Sequence, residues 1–163
     1  MKLYKYCPMC KSPLKQGAID GENRRFCEKC GWINYLNPVP VVACLVSSSK
    51  GELLLMRRGV APCKGKWALP GGFIELTETA ELAGKRELFE ETGLRGKPAR
   101  LIGVYTQPSS IYGFVLVIGI ELIINKETIT PGDDAIEAKF FSRNKLPNVS
   151  FKSHNNLIRD YSL

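Results

Sequence analysis

Residues Trp67–Leu94 read WALPGGFIELTETAELAGKRELFEETGL, a Gly-Gly turn and a short extended piece leading into a carboxylate-rich helix. The helix is predicted from Thr77 or Glu78 onward. Ala, Glu, Leu, Lys and Arg dominate it, no proline interrupts it, and Gly93 supplies the stop. Glu87, Glu90 and Glu91 stand at i, i+3 and i+4, so their side chains share one face with Ala80 and Ala83. Leu82 and Phe89 point elsewhere and are predicted to meet the core. Like charges at these spacings oppose a free helix by about 0.2–0.5 kcal/mol per pair. A hard divalent cation removes the conflict, because Mg²⁺ takes oxygen ligands and keeps waters for a phosphate substrate. A solvated acidic face is the competing reading, and the flanking residues decide between the two.

From Gly72 the chain runs through five residues to Glu78, then seven more to Arg86-Glu87-Leu88-Phe89-Glu90-Glu91-Thr92-Gly93-Leu94. This resembles the Nudix box, G-x5-E-x7-R-E-U-x-E-E-x-G-U with U aliphatic, at all nine defined positions. The resemblance implies an α/β fold, the Nudix α/β/α sandwich with a mixed sheet. It also implies a Mg²⁺- or Mn²⁺-dependent enzyme that cleaves a nucleoside diphosphate linked to another group. Glu90 and Glu91 would be the main metal ligands, with the Gly71 carbonyl beside them. Glu87 would be a ligand or the general base. Arg86 is expected to pair with a box carboxylate and fix its geometry, with Glu78 in a similar supporting place. A further acid is expected from the later loop: Glu137 first, then Asp133 and Asp134. Arg57 and Arg58, ending a strand, are candidate diphosphate contacts. Trp67, Tyr105, Tyr112 and Phe114 are candidates to stack on a base, Phe114 being assigned to the core by preference.

Four of the six cysteines fall as Cys7-Pro-Met-Cys10 and Cys27-Glu-Lys-Cys30, two knuckles sixteen residues apart. That is zinc-ribbon spacing, and four protein thiolates would close the coordination sphere, so the zinc is structural. Paired disulfides would require an oxidising compartment. Cys44, within VVACLV, reads as core, and Cys63 as a loop cysteine. Residues 1–36 are assigned to the ribbon, with a hairpin or loop around Gly17 and Gly21, and residues 37–163 to the catalytic domain. Asn37-Pro38-Val39-Pro40 marks the boundary.

The formal charge of +7 falls to about +5 once four thiolates and one zinc ion are counted. That mild excess suits phosphorylated small molecules and does not call for nucleic acid. No apolar run reaches the roughly 20 residues of a spanning helix, and the N-terminus lacks a signal-like apolar stretch. A cytoplasmic protein with a small-molecule nucleotide substrate and no membrane partner is expected, and a homodimer is compatible with the sequence.

Strands are predicted at Val41–Ser47, Glu52–Arg57, Ala99–Thr106 and Phe114–Ile124, with a loop at Gln107–Gly113. A closing helix is predicted at Ser153–Ser162 with Ser153 as N-cap, and His154, the only histidine, is assigned to the surface. Ribbon plus box resembles both the NADH pyrophosphatases and the smaller zinc-ribbon Nudix proteins that include FAD pyrophosphatases. The resemblance to the second group runs over nearly the whole chain, which points to FAD or ADP-ribose. The NADH group carries an SQPWPF-type motif, and Thr106-Gln107-Pro108-Ser109-Ser110 keeps only its Gln-Pro. A triphosphatase that sanitises (d)NTPs is an alternative. So is an RNA-binding ribbon adaptor on a Nudix scaffold, though such a scaffold has no need of three helix carboxylates.

Overall fold

The structure, a computed structural model, describes residues 4–132 and 134–161. The N-terminal segment is a three-stranded antiparallel sheet of β1 (Lys15–Ile19), β2 (Glu22–Phe26) and β3 (Ile33–Asn34). Asp20 and Gly21, both at positive φ, make the two-residue β1–β2 turn, the Asp-Gly hairpin geometry that matches strand twist. Each cysteine knuckle closes on a left-handed residue. The Lys11 amide donates to the Cys7 carbonyl and that of Gly31 to the Cys27 carbonyl, both at 2.9 Å.

Two further sheets follow. In one, β4 (Val39–Leu45) pairs in parallel with β8 (Gly113–Ile124), which pairs antiparallel with β7 (Gly96–Ser109). In the other, β5 (Leu53–Arg58) lies between β6 (Trp67–Ala68) and β9 (Ala135–Phe141), all antiparallel. Helices α1 (Ala80–Thr92) and α2 (Lys152–Tyr161) cover opposite faces. Strand β4 shows why its sequence is continuously apolar. Val42 and Cys44 join a core with Ala83 and Leu88 of α1, while Ala43 and Leu45 join another with Leu157 and Tyr161 of α2. A strand buried on both faces has no polar side to alternate with. Strand β5 divides the same way, Leu54 toward α1 and Leu53 and Leu55 toward α2. This is the expected α/β/α arrangement with a mixed sheet.

Several local expectations are corrected. Helix α1 starts at Ala80, not Thr77 or Glu78, because the Thr79 side chain caps it by accepting from the Leu82 amide. Leu82 and Phe89 are exposed, and the inner face carries Ala83, Gly84, Leu88, Glu91 and Thr92. Small residues there let α1 come close to β4: the Cys44 thiol donates to the Gly84 carbonyl at 3.3 Å. Gln107 lies in β7 instead of a loop, and its side-chain oxygen accepts from the backbone amide and hydroxyl of Ser153. Ser153 is therefore inside α2, not its N-cap; Ser162 lies outside the described residues. His154 is not a surface residue. Its Nδ1 accepts from the Leu69 amide at 3.1 Å, and its ring packs edge-on against Phe151. Phe114, assigned to the core, is exposed.

Candidate active site

The Gly-Gly turn brings main chain against the carboxylates of α1. Gly71 has φ of 149°, and a Cβ there would strike the Val42 carbonyl, so only glycine fits. Its amide donates to the Glu91 carboxylate at 2.7 Å. A Cβ on Gly72 would lie 2.6 Å from the Glu87 carboxyl carbon. Both glycines therefore set how closely Glu87 and Glu91 approach the backbone.

Arg86 organises the opposite side. It donates to both Glu78 carboxylate oxygens at 2.7 Å, to Glu87 at 2.7 Å, to Glu90 at 3.1 Å and to the Phe73 carbonyl at 2.9 Å. Arg86 thus pairs with two box carboxylates, and Glu78 pairs with Arg86. The guanidinium holds Glu78 well below the usual carboxylate range, at about 2. Burial pushes Glu87 up despite Arg86. Burial raises Glu91 to about 8, against the Gly71 bond and the Arg58 charge, with Glu87 and Asp134 adding to the rise. A nearly buried carboxyl with so little positive charge around it holds its proton unless a cation takes the proton's place.

Among the described residues, the one cluster of three or more metal-ligating side chains already drawn together is that of the cysteines. Glu87 and Glu90 are held by Arg86 and Glu91 by Gly71, so the three carboxylates share a face without converging on a point. The donor set nonetheless fits a hard divalent cation, being all oxygen and carrying more negative charge than Arg86 offsets.

The remaining candidates separate. Glu137 is opposite Arg57 in the β5–β9 register and ion-paired to Lys139 at 2.7 Å. Residues opposed in a register share a face. Because Leu55 opposes Lys139 and packs on the α2 side, Glu137 and Arg57 look away from α1. Glu137 is thus paired with Lys139 on the α2 side, and the loop acid that acts on Glu91 is Asp134. Asp133 lies outside the described residues. Trp67, paired with Arg57, is also on the α2 side, edge-on to Phe141 at 4.8 Å. Arg57 and Arg58 brace the loop between β5 and β6, donating to the carbonyls of Gly65 at 2.9 Å and Pro62 at 2.7 Å. Of the two, Arg58 is the one felt by Glu91. Tyr105 donates to Asp160 and does not reach the box. The sequence reading missed Phe73, which is 40% exposed and pairs edge-on with Tyr112 at 5.2 Å. Its place directly after Gly71-Gly72 was the available signal.

In the ribbon, the sulfurs of Cys7, Cys10, Cys27 and Cys30 all lie within 4.8 Å of one another. Cys7 and Cys30 are 3.5 Å apart, and Cys10 and Cys27 3.4 Å. Tetrahedral zinc at 2.3 Å from each sulfur sets them about 3.8 Å apart, so the cluster fits that ion. Hydrogen bonds led by Ser12 lower Cys10 to about 6. Cys30 is up at about 12, where the lowering Trp32 amide is outweighed by burial and the other three thiols.

The NUDIX domain family matches residues 37–161, and its N-terminal zinc-ribbon family matches residues 5–36. The chain belongs to the Nudix family. It is an enzyme of that family with a ribbon in front of the catalytic domain, and Nudix enzymes use divalent cations. It is 42% identical over 128 residues to an ADP-ribose pyrophosphatase of Methanocaldococcus jannaschii, covering 78% of this chain and 75% of that protein. It is 28% identical over 163 residues to the NAD-capped RNA hydrolase NudC of Deinococcus radiodurans, covering 96% of this chain. This chain spans about half the length of the NudC relatives, 56% in that case and 44% for one from Haemophilus influenzae. A Nudix hydrolase structure from Nitrosomonas europaea superposes with a TM-score of 0.80 at 28% identity, over 97% of this chain and 90% of that one. No helix among the described residues is long and apolar enough to cross a membrane.

Proposed function

We propose that this chain hydrolyses the diphosphate bridge of a nucleoside diphosphate linked to a second group, with ADP-ribose first and FAD second. The observation that carries the reading is Glu91. It is buried, raised to about 8 and held against the Gly71 amide beside Glu87, so that a cation there would take the place of its proton. Glu87, Glu90, Glu91 and the Gly71 carbonyl would hold Mg²⁺ or Mn²⁺, which neutralises the anhydride oxygens and lowers the pKa of bound water. Arg86 orients Glu87 and Glu90. Arg58 and Asp134, near Glu91, would contact a phosphate and a water, and the Phe73–Tyr112 pair offers an exposed aromatic edge for a base. The archaeal relative named as an ADP-ribose pyrophosphatase supports ADP-ribose. FAD rests on the sequence resemblance alone.

A second reading, an NAD-type dinucleotide, is favoured by the Deinococcus relative, whose match runs through the ribbon as well as the box. The test is kcat/KM for ADP-ribose, FAD, NADH and dGTP under one Mg²⁺ condition, with Glu91→Gln alongside. ADP-ribose should lead and Glu91→Gln should remove most turnover while the protein stays folded. A tenfold preference for dGTP, about 1.4 kcal/mol of transition-state binding, overturns the substrate assignment. Full activity in Glu91→Gln overturns the site.

A further inference from the structure

The segment 69–72, which carries the Gly-Gly turn, is held in two ways. The carbonyls of Pro70 and Gly72 accept from the β4 amides of Cys44 and Val42 at 2.7 and 2.8 Å. The amides of Leu69 and Gly71 go instead to side chains, Leu69 to Nδ1 of His154 at 3.1 Å and Gly71 to Glu91 at 2.7 Å. Of these two acceptors only His154 lies outside the box. Leu69 is buried, so its amide requires a partner within the protein.

The place of that partner is fixed from several sides. Beside it, Ser153 is buried and donates from both its amide and its hydroxyl to Gln107 of β7. Asn155 donates to the Val149 carbonyl at 2.9 Å, and Leu157 is buried in the core. The His154 ring packs edge-on to Phe151 with centroids 5.0 Å apart, and Phe151 packs on the cluster of Met56 and Ala68. Burial, with Arg58 adding to it, keeps the ring neutral by lowering it to about 3. Nδ1 is therefore an acceptor at any pH near neutrality.

The Leu69 bond differs from the Gly71 bond in one respect that bears on the box. Once Glu91 is a ligand, its carboxylate is shared between the Gly71 amide and the cation, and its grip on the turn weakens as the site fills. The bond to His154 involves no box carboxylate and is untouched by that change. We propose that His154 is a positioning residue for the box: through the Leu69 amide it keeps the Gly71 carbonyl in place beside α1 when Glu91 is drawn to the cation. This rests on the reading of the box as a cation-dependent hydrolase site, and His154 itself contacts neither cation nor substrate. Removing such an outer partner costs about 10–100-fold in metal affinity or activity.

The experiment uses the full-length zinc-loaded protein, ¹⁵N-labelled, as wild type, His154→Leu and His154→Asn. Leucine fills much of the ring's volume without an acceptor. Asparagine loses the ring but sets Oδ1 where Nδ1 stands. Three quantities are read: hydrogen exchange of the Gly71 amide in cation-free buffer, Mg²⁺ affinity by calorimetry, and kcat and KM for ADP-ribose. In His154→Leu, Gly71 exchange should speed about tenfold, and Mg²⁺ affinity and kcat should each fall about tenfold or more with KM little changed. His154→Asn should retain most of all three even where its melting temperature is lower, because function follows the acceptor and packing follows the ring. Should His154→Leu fail to fold, His154→Phe, an acceptor-free ring, takes its place. A folded acceptor-free variant with wild-type Gly71 exchange and Mg²⁺ affinity overturns the proposal. So does a His154→Asn protein that loses as much as His154→Leu, which would leave the ring a packing role only. Gly71 exchange that follows the acceptor while none of the proteins cleaves ADP-ribose overturns the substrate reading and leaves the anchoring of the turn standing.

Discussion

Glu91 makes cation binding depend on pH in a way that can be worked out from its surroundings. Burial places its pKa at about 8, against an ordinary 4.5. In the cation-free protein at pH 7 the carboxyl is then protonated about ten to one, and a cation must displace that proton. Each pH unit below 8 therefore weakens apparent cation affinity about tenfold, or 1.4 kcal/mol. Glu87, also raised, adds to the slope. Calorimetric titration with Mg²⁺ at pH 6 and pH 7, in buffers of different ionisation enthalpy, should show this loss and the release of about one proton or more per ion. Stability carries the same signature with a definite sign. The folded state holds a proton that the unfolded chain has already lost above pH 4.5, so stability of the cation-free protein falls as pH rises toward 8. By pH 7 the Glu91 contribution is about 3 kcal/mol, and Glu91→Gln should flatten it and raise the melting temperature at pH 7 more than at pH 5. Mg²⁺ affinity independent of pH between 6 and 7.5, with no proton released, would refute a proton on buried Glu91 as the cation's competitor.

Three other outcomes follow from named contacts. Gly72→Ala should leave the fold and the zinc intact, because its Cβ meets only the flexible end of Glu87, yet turnover should fall at least tenfold as that carboxylate is displaced; steady-state rates beside thermal melts check this. Cys27→Ser should abolish stoichiometric zinc and broaden the amide signals of residues 5–36, while ADP-ribose hydrolysis survives at least in part, as read by metal analysis and NMR. His154, lowered to about 3 by burial and then by Arg58, binds no proton in the folded state where the unfolded chain does. Stability should therefore fall below pH 6.5, by about 2 kcal/mol at pH 5, and His154→Gln, which keeps an acceptor for Leu69, should flatten that acid limb in urea titrations.

The box and the knuckles could be read from the chain because each packs its chemistry into one local pattern. Helix spacing puts Glu87, Glu90 and Glu91 on one face, and the Cys-x-x-Cys pairs need only a turn each. Cofacial placement does not say which face is buried, however. The apolar Leu82 and Phe89 suggested an inner face that Glu91, Ala83 and Gly84 in fact occupy, because the carboxylate must reach the Gly71 amide. Long-range register was equally hidden. Glu137 and Arg57 sit near the box in any linear reading of the loops, yet strand alternation turns both toward α2. Asp134 and Arg58, one step past the ends of β9 and the regular part of β5, escape that alternation because the register shifts between Arg57 and Arg58. His154 and Gln107 are polar residues in polar stretches. Only the docking of α2 on the sheet reveals that one holds Leu69 and the other the start of the helix.

The ribbon cysteines and the box carboxylates would select different ions, because their donors differ. Four thiolates fixed by two knuckles are soft ligands that fill a tetrahedron, which suits zinc and leaves no position open for substrate. The box offers carboxylates and a carbonyl, hard donors that suit a cation keeping several waters. The difference in preorganisation matters as much as the difference in softness. The sulfurs already stand at zinc spacing, whereas Glu87 and Glu90 are tied to Arg86 and Glu91 to a backbone amide. Zinc should therefore stay through dialysis that strips the catalytic ion. Cation binding at the box must also rearrange carboxylate contacts and displace a proton from Glu91, so the cation's hold there is weak enough to be exchanged with substrate.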